Sequence, residues 1–310
     1  MSGPRSPFAI ACFTMLLAAA THGQADEVQP ATHVAPVRLP QPTAAAGVQF
    51  SQQPAQVGDR VAQQVDLELN LNTSIIQSGQ LAHQENMSME RRQQRLVEVT
   101  EVAEGKVCRA RVTFSRSRHK TPENDDPEQE VVQPVEGKTY LLTRQGKQLL
   151  VTDPQGVIPP REEFEIVFSS MQSLGLPNPL AQFLLTRTIH VGQTVELPKE
   201  IAEQMLGFGN ELGEVKRFQL QLNELSTFEG EPSAVFAASI EVVGTASQPM
   251  QINVTGPVVI LIETCRTVVT DLTGPLSFDA HQRTSQGSYQ YRAVGTMRVA
   301  VRARYAKQTQ

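Results

Sequence analysis

The chain has no tryptophan, only 4 tyrosines and only 3 cysteines in 310 residues. Sugar-binding surfaces and single-strand nucleic-acid grooves use exposed aromatic platforms, so this scarcity argues against both. The formal charge of −5 gives no overall drive towards nucleic acid or anionic lipid. No helical His-Glu-x-x-His, no Gly-x-Ser-x-Gly elbow and no Gly-rich phosphate loop ending in Lys-Ser/Thr occurs. Asp271-Leu272-Thr273-Gly274 approaches an aspartic-protease loop. That chemistry wants a small hydroxyl residue directly after the Asp, where Leu272 stands. His22 and His33 lie near the N-terminus, and His83, His119, His190 and His281 are scattered. No catalytic residue, metal ligand or cofactor is assigned from these patterns. The acidic stretch 123–128 lacks the ligand spacing of a calcium loop.

What is present begins with a leader. Arg5 precedes an apolar run over 8–20, and Gly23-Gln24-Ala25 offers a small-residue cleavage site. This order predicts a signal peptide over 1–25, cut before Asp26. The run would span only about 20 Å as a helix, short of the roughly 30 Å hydrocarbon core. Later in the chain the best apolar run, 258–262, ends at Glu263, so no membrane span is expected in the mature protein. The expected location is outside the cytoplasm, in a bacterial periplasm or beyond. Cleavage removes Cys12 and leaves Cys108 and Cys265. In an oxidising compartment a lone pair reads most simply as a disulfide. It would close a loop of about 157 residues, worth about 5 kcal/mol in the chain-entropy model. Two buried free thiols are the alternative.

Residues 26–56 are rich in Pro, Ala and Gln and show no period, which predicts a disordered linker. Order is expected from Val57-Gly58, with one β-rich domain over 57–310. Apolar residues then alternate with polar ones: Leu67, Leu69 and Leu71; Cys108, Ala110, Val112 and Phe114; Phe218, Leu220 and Leu222. Period two marks antiparallel strands with one wet face. Glu104-Gly105 and Glu229-Gly230 read as hairpin turns. The longest alternation runs from Tyr289 to Tyr305, with Gly295 as an expected bend and Arg292, Arg298, Arg302 and Arg304 on the solvated parity.

Between 159 and 209 the period becomes helical. Phe164, Val167, Phe168, Met171 and Leu174 share one face, Pro160 suits the first turn, and Gly175 suits the stop. Asn178 can cap a second helix starting at Pro179, with Phe183 and Leu184 on one side. A strand over 188–197 and a third short helix after Pro198 follow. Val57-Gly58-Asp59-Arg60-Val61 is echoed by Val191-Gly192-Gln193-Thr194-Val195, as two related β units would produce.

The expected fold is therefore α+β. It consists of a mainly antiparallel, long-stranded sheet, as a half-barrel or two related β lobes, with two or three short helices inserted near 159–209. Helices lying on such a sheet either complete its core or enclose a cavity. In the second case Phe164, Phe168, Met171, Phe183 and Leu184 would line a site for a lipid-like, apolar ligand.

Met87-Ser88-Met89, the strand start Gly137-Lys138-Thr139-Tyr140, and the 191–195 motif leading towards a helix carry a resemblance. Over about 57–305 the layout resembles uncharacterised exported bacterial proteins with a signal peptide, a Pro/Ala linker and a β-rich domain. That resemblance implies no catalytic or binding residue. The expected role is non-catalytic: binding an apolar ligand or a protein partner in the cell envelope, with no nucleic acid. The alternative is an exported hydrolase with a dispersed active site.

Overall fold

A computed structural model describes residues 47–120, 130–206, 213–245, 248–284 and 287–306. The expected leader, most of the expected linker and the acidic stretch 123–128 lie outside them.

Most of the chain is antiparallel strand. In chain order the elements are β1 (Gly47–Gln49), β2 (Arg60–Gln77), β3 (Gln80–Ala103), β4 (Lys106–Lys120), β5 (Glu130–Val132), β6 (Thr139–Gln145) and β7 (Gln148–Thr152). Then come α1 (Arg161–Met171), α2 (Pro179–Leu185), β8 (Thr188–His190), β9 (Thr194–Glu196) and α3 (Lys199–Leu206). β10 (Glu214–Phe228), β11 (Glu231–Thr245), β12 (Gln248–Leu261), β13 (Thr267–Thr284) and β14 (Gly287–Ala306) complete the fold.

Twelve strands form one sheet in the order β7-β6-β4-β3-β2-β14-β13-β12-β11-β10-β9, with β5 beside β4. Its two ends do not pair among the described residues, so the sheet is not closed into a barrel. Two meanders meet at the β2–β14 seam, where 18 consecutive residue pairs keep register from Tyr289–Gln77 to Ala306–Arg60. β1 and β8 form a separate two-stranded ribbon.

The tight hairpins follow from local chemistry. Glu104 and Gly105 have φ of 52° and 73°, and Glu229 and Gly230 have 50° and 85°. Positive φ at both central residues matches the right-handed twist of the flanking strands. The two echoed motifs also fold alike. Gly58 N donates to Val99 O at 2.8 Å and Val99 N to Asp59 O at 2.8 Å. Gly192 N donates to Leu222 O at 2.7 Å and Leu222 N to Gln193 O at 3.0 Å.

Alternation gives the sheet an apolar inner face, and all three helices pack there. α2, α3 and the β1–β8 ribbon cover β10–β13 in a core holding Leu184, Ile189, Leu220, Phe236 and Ile260. α1 covers β3, β4, β6 and β7 in a second core holding Val97, Phe114, Tyr140, Leu142 and Val167. On the outer face Arg298 clasps Asp271 through Nε at 2.9 Å and Nη2 at 2.8 Å. That face is the solvated arginine row read in the sequence.

Several expectations need correction. The folded part starts earlier than Val57: Val48 and Phe50 are 5% and 3% exposed, and Phe50 stacks on Phe236 at 6.2 Å. The 188–197 segment is two short strands, broken by a turn at Gly192 with φ of 87°. Gly295 makes no bulge, because both neighbouring ladders pass it in register. It marks a close approach instead. A Cβ there would lie 1.8 Å from Asn70 O, and Cβ atoms at Gly256 and Gly274 would lie 1.9 Å from Asp271 O and Asn253 O. These three glycines sit on the inner parity of β12, β13 and β14, so the sheet folds towards its inner face along their line. Leu71, Met89, Met250 and Leu276 are partly buried apolar residues packed against the first core.

The expected Cys108–Cys265 bridge is absent, and both thiols are free. The ladder shows why. Ala110, Val112 and Phe114 point inward, but a bulge pairs Val102 with Val107 and skips Cys108. Val107 takes the buried position, and Cys108 is turned half out of the core. Cys265 is 3% exposed, in the turn between β12 and β13.

Candidate functional site

Two cavities lie between the helices and the inner face of the sheet. The smaller, about 310 Å³, is bounded by Phe168 of α1, Leu180 of α2, Met205 of α3 and the strand residues Phe218, Leu220, Val258 and Leu272. The larger, about 510 Å³, is bounded by Val61, Val97, Val107, Met171 and Leu174. Gln63, Arg95, Ser170, Cys265 and Arg266 add polar atoms to its wall. Ser173, Leu176, Pro177 and Asn178 border both spaces, so the α1–α2 connection is their shared partition.

The partition is held from both ends. Arg144 on β6 donates from Nε to Leu174 O at 2.8 Å, from Nη1 to Lys147 O at 3.1 Å and from Nη2 to Gln172 O. The bonds to Gln172 and Leu174 satisfy carbonyls left over where α1 ends, and the bond to Lys147 ties Arg144 to its own hairpin. Asn178 Oδ1 accepts from Leu180 N at 3.0 Å and Ala181 N at 3.3 Å, the cap read in the sequence. α1 is anchored at its start by Glu163. The carboxylate accepts from Tyr140 OH at 2.6 Å and from Lys138 Nζ at 2.8 Å. Burial raises the Glu163 pKa, but the Lys138 and Tyr140 hydrogen bonds outweigh it and hold the group below the usual carboxylate value.

Of the five residues expected to line one apolar site, Phe168 faces the smaller cavity and Met171 the larger. Phe164 stacks on Phe168 at 5.7 Å and packs against the second core. Phe183 and Leu184 are 5% and 0% exposed, lie in the first core and border neither cavity. Four of the five are thus split between two cores, and Phe168, 36% exposed, belongs to neither.

The sequence reading missed the polar wall. Gln63, Gln93, Arg95, Ser117 and Ser170 are all at most 5% exposed. Arg95 Nε donates to Gln63 Oε1 at 2.9 Å and Nη1 to Gln93 Oε1 at 3.1 Å. Gln93 Oε1 also accepts from Ser170 Oγ at 3.1 Å, while its Nε2 donates to Ser117 Oγ at 3.2 Å. The signal was available: Gln93 and Arg95 share the inward parity of Val97 and Val99. Burial pushes the Cys265 thiol up to about 12, which keeps it protonated at neutral pH.

The histidines assemble no catalytic set among the described residues. His83 lies 3.5 Å from Glu85 and His281 3.4 Å from Asp279, all with exposed side chains. His190 is exposed, and His119 is half-buried. No group of three His, Cys, Asp or Glu side chains among the described residues is placed to hold a metal ion. No described helix is long and apolar enough to cross a membrane.

No family model matches the chain. No curated protein matches it either. Among solved structures, lipovitellin, studied for its lipid–protein interactions, overlaps 82% of this chain at a TM-score of 0.38 and 9% identity. This chain spans about a quarter of lipovitellin's length, 26%. DynF of the dynemicin pathway of Micromonospora chersina overlaps 94% of this chain and 98% of its own at 0.20 and 7% identity. The outer membrane protein OprG from Pseudomonas aeruginosa overlaps 84% of this chain and 99% of its own at 0.13 and 7% identity. Overlaps this loose carry no functional argument.

Proposed function

We propose that the chain is an exported, non-catalytic protein that holds an apolar, lipid-like ligand between its helices and its sheet. The observation that carries this reading is the pair of cavities on either side of the 173–178 partition, with mostly apolar walls. Small-molecule sites are concave and mainly apolar, with a few placed polar groups, and occupy about 300–1,000 Å³. The larger space, about 510 Å³, falls well inside that range. The order of leader, Pro/Ala/Gln segment and folded domain supports export.

Mass spectrometry of the full chain purified from its own cells tests both parts. The reading expects an extractable apolar compound in near-stoichiometric amount and an N-terminus at Asp26. Protein free of any apolar compound sinks ligand binding, and an intact leader sinks export. A protein partner in the envelope is the second reading, favoured by the partly buried apolar residues Leu71, Met89 and Leu276 at the margin of the first core. A co-purified polypeptide without lipid would select it.

A further inference from the structure

The larger cavity holds a charge without a counter-charge. Arg95 is 5% exposed and borders the cavity. Its acceptors, Gln63 Oε1 and Gln93 Oε1, are neutral amide oxygens, and no carboxylate among the described residues pairs with it. A cation taken out of water and left unpaired is costly, and proteins normally neutralise it. The strain shows in its acidity: burial, with Arg91 nearby, pushes Arg95 down to about 10. Arg266 borders the same cavity, but it lies 4.9 Å over the Tyr305 ring and feels the Asp59 carboxylate. Glu104 and Lys106 also border the cavity, but both are exposed and bring one charge of each sign to its rim. One buried positive charge therefore remains for a ligand to meet, beside apolar side chains from Val61, Val97, Val107, Met171 and Leu174.

We infer that this cavity binds a single-chain amphiphile with a monoanionic carboxylate, the head paired with Arg95 and the chain against the apolar wall. The inference rests on the apolar-ligand reading above and adds the chemistry of the head. A guanidinium fits a carboxylate in a two-pronged, charge-assisted pair. A phosphate monoester would bring up to about two charges to a site with one to spare. The volume, about 510 Å³, suits one short chain.

The test is calorimetric titration of the full chain with decanoate and with decanol, where the acid is ionised. The expected result is decanoate binding at least about tenfold tighter than decanol. Arg95→Gln should erase that preference, bringing decanoate down to the level of decanol, and Arg95→Lys should keep part of it. Equal affinity for both probes in the natural protein overturns the inference, as does a preference that survives Arg95→Gln. If Arg95→Gln does not fold, the two probes on the natural protein and Arg95→Lys decide. Decanol binding without carboxylate preference defeats this inference and leaves the apolar-ligand reading intact. Binding of neither defeats both.

Discussion

Two buried carboxylates set opposite pH dependences at the residue scale. Glu163 is held below its ordinary value of 4.5. Its stabilisation is therefore present above that value and is lost as pH falls through its lower folded value. Asp59, 0% exposed, is raised by burial to about 6, against the lowering effects of the Gln56 N–H and Arg266. Its contribution is full below 3.8 and is lost as pH rises through about 6. Urea unfolding across pH should separate them. Glu163→Gln should differ most from the natural protein near neutrality, with the gap narrowing in acid. Asp59→Asn should flatten the decline between about 4 and 6. Glu163→Ala should cost more than Glu163→Gln, about 1–3 kcal/mol, because the Tyr140 hydroxyl then stays buried without an acceptor. A Glu163→Gln gap that widens in acid would contradict the assignment.

At the scale of elements, legibility followed locality. The helices at 161–171 and 179–185 and the Glu-Gly hairpins were readable, because caps, period and turn residues act within a few positions. The Asn178 cap forms as read. What escaped depended on register between distant strands. Nothing near Cys108 announces the bulge that turns it out of the core, since the bulge arises from pairing with β3. Arg95 shares the inward parity of Val97 and Val99, against the general preference of charged residues for the wet face. Gly295 was singled out correctly, yet its reason is the Asn70 carbonyl of a strand more than 200 positions away. Gly295→Ala should lower stability by about 3 kcal/mol or more, because backbone rather than a flexible side chain must move. Its chemical denaturation midpoint measures this, and a loss of under about 1 kcal/mol would show that the crease tolerates a side chain.

At the scale of the whole molecule, one sheet carries two cores on a single face. α1 packs on one meander and α2 with α3 on the other, so a gap is left where the covers meet. The 173–178 connection crosses that gap, and Arg144 holds it through Gln172 and Leu174. Two clefts of about 310 and 510 Å³, both open to solvent, therefore lie on either side of one tethered strap. Leu176 borders both and is 40% exposed, so enlarging it disturbs no core. The most direct measurement is decanol titration of the full chain and of Leu176→Trp, with both melting curves recorded. The account predicts one saturable site in the natural protein, weakened about tenfold or more by Leu176→Trp with melting unchanged. No saturable binding, or equal binding by the two proteins, would contradict it.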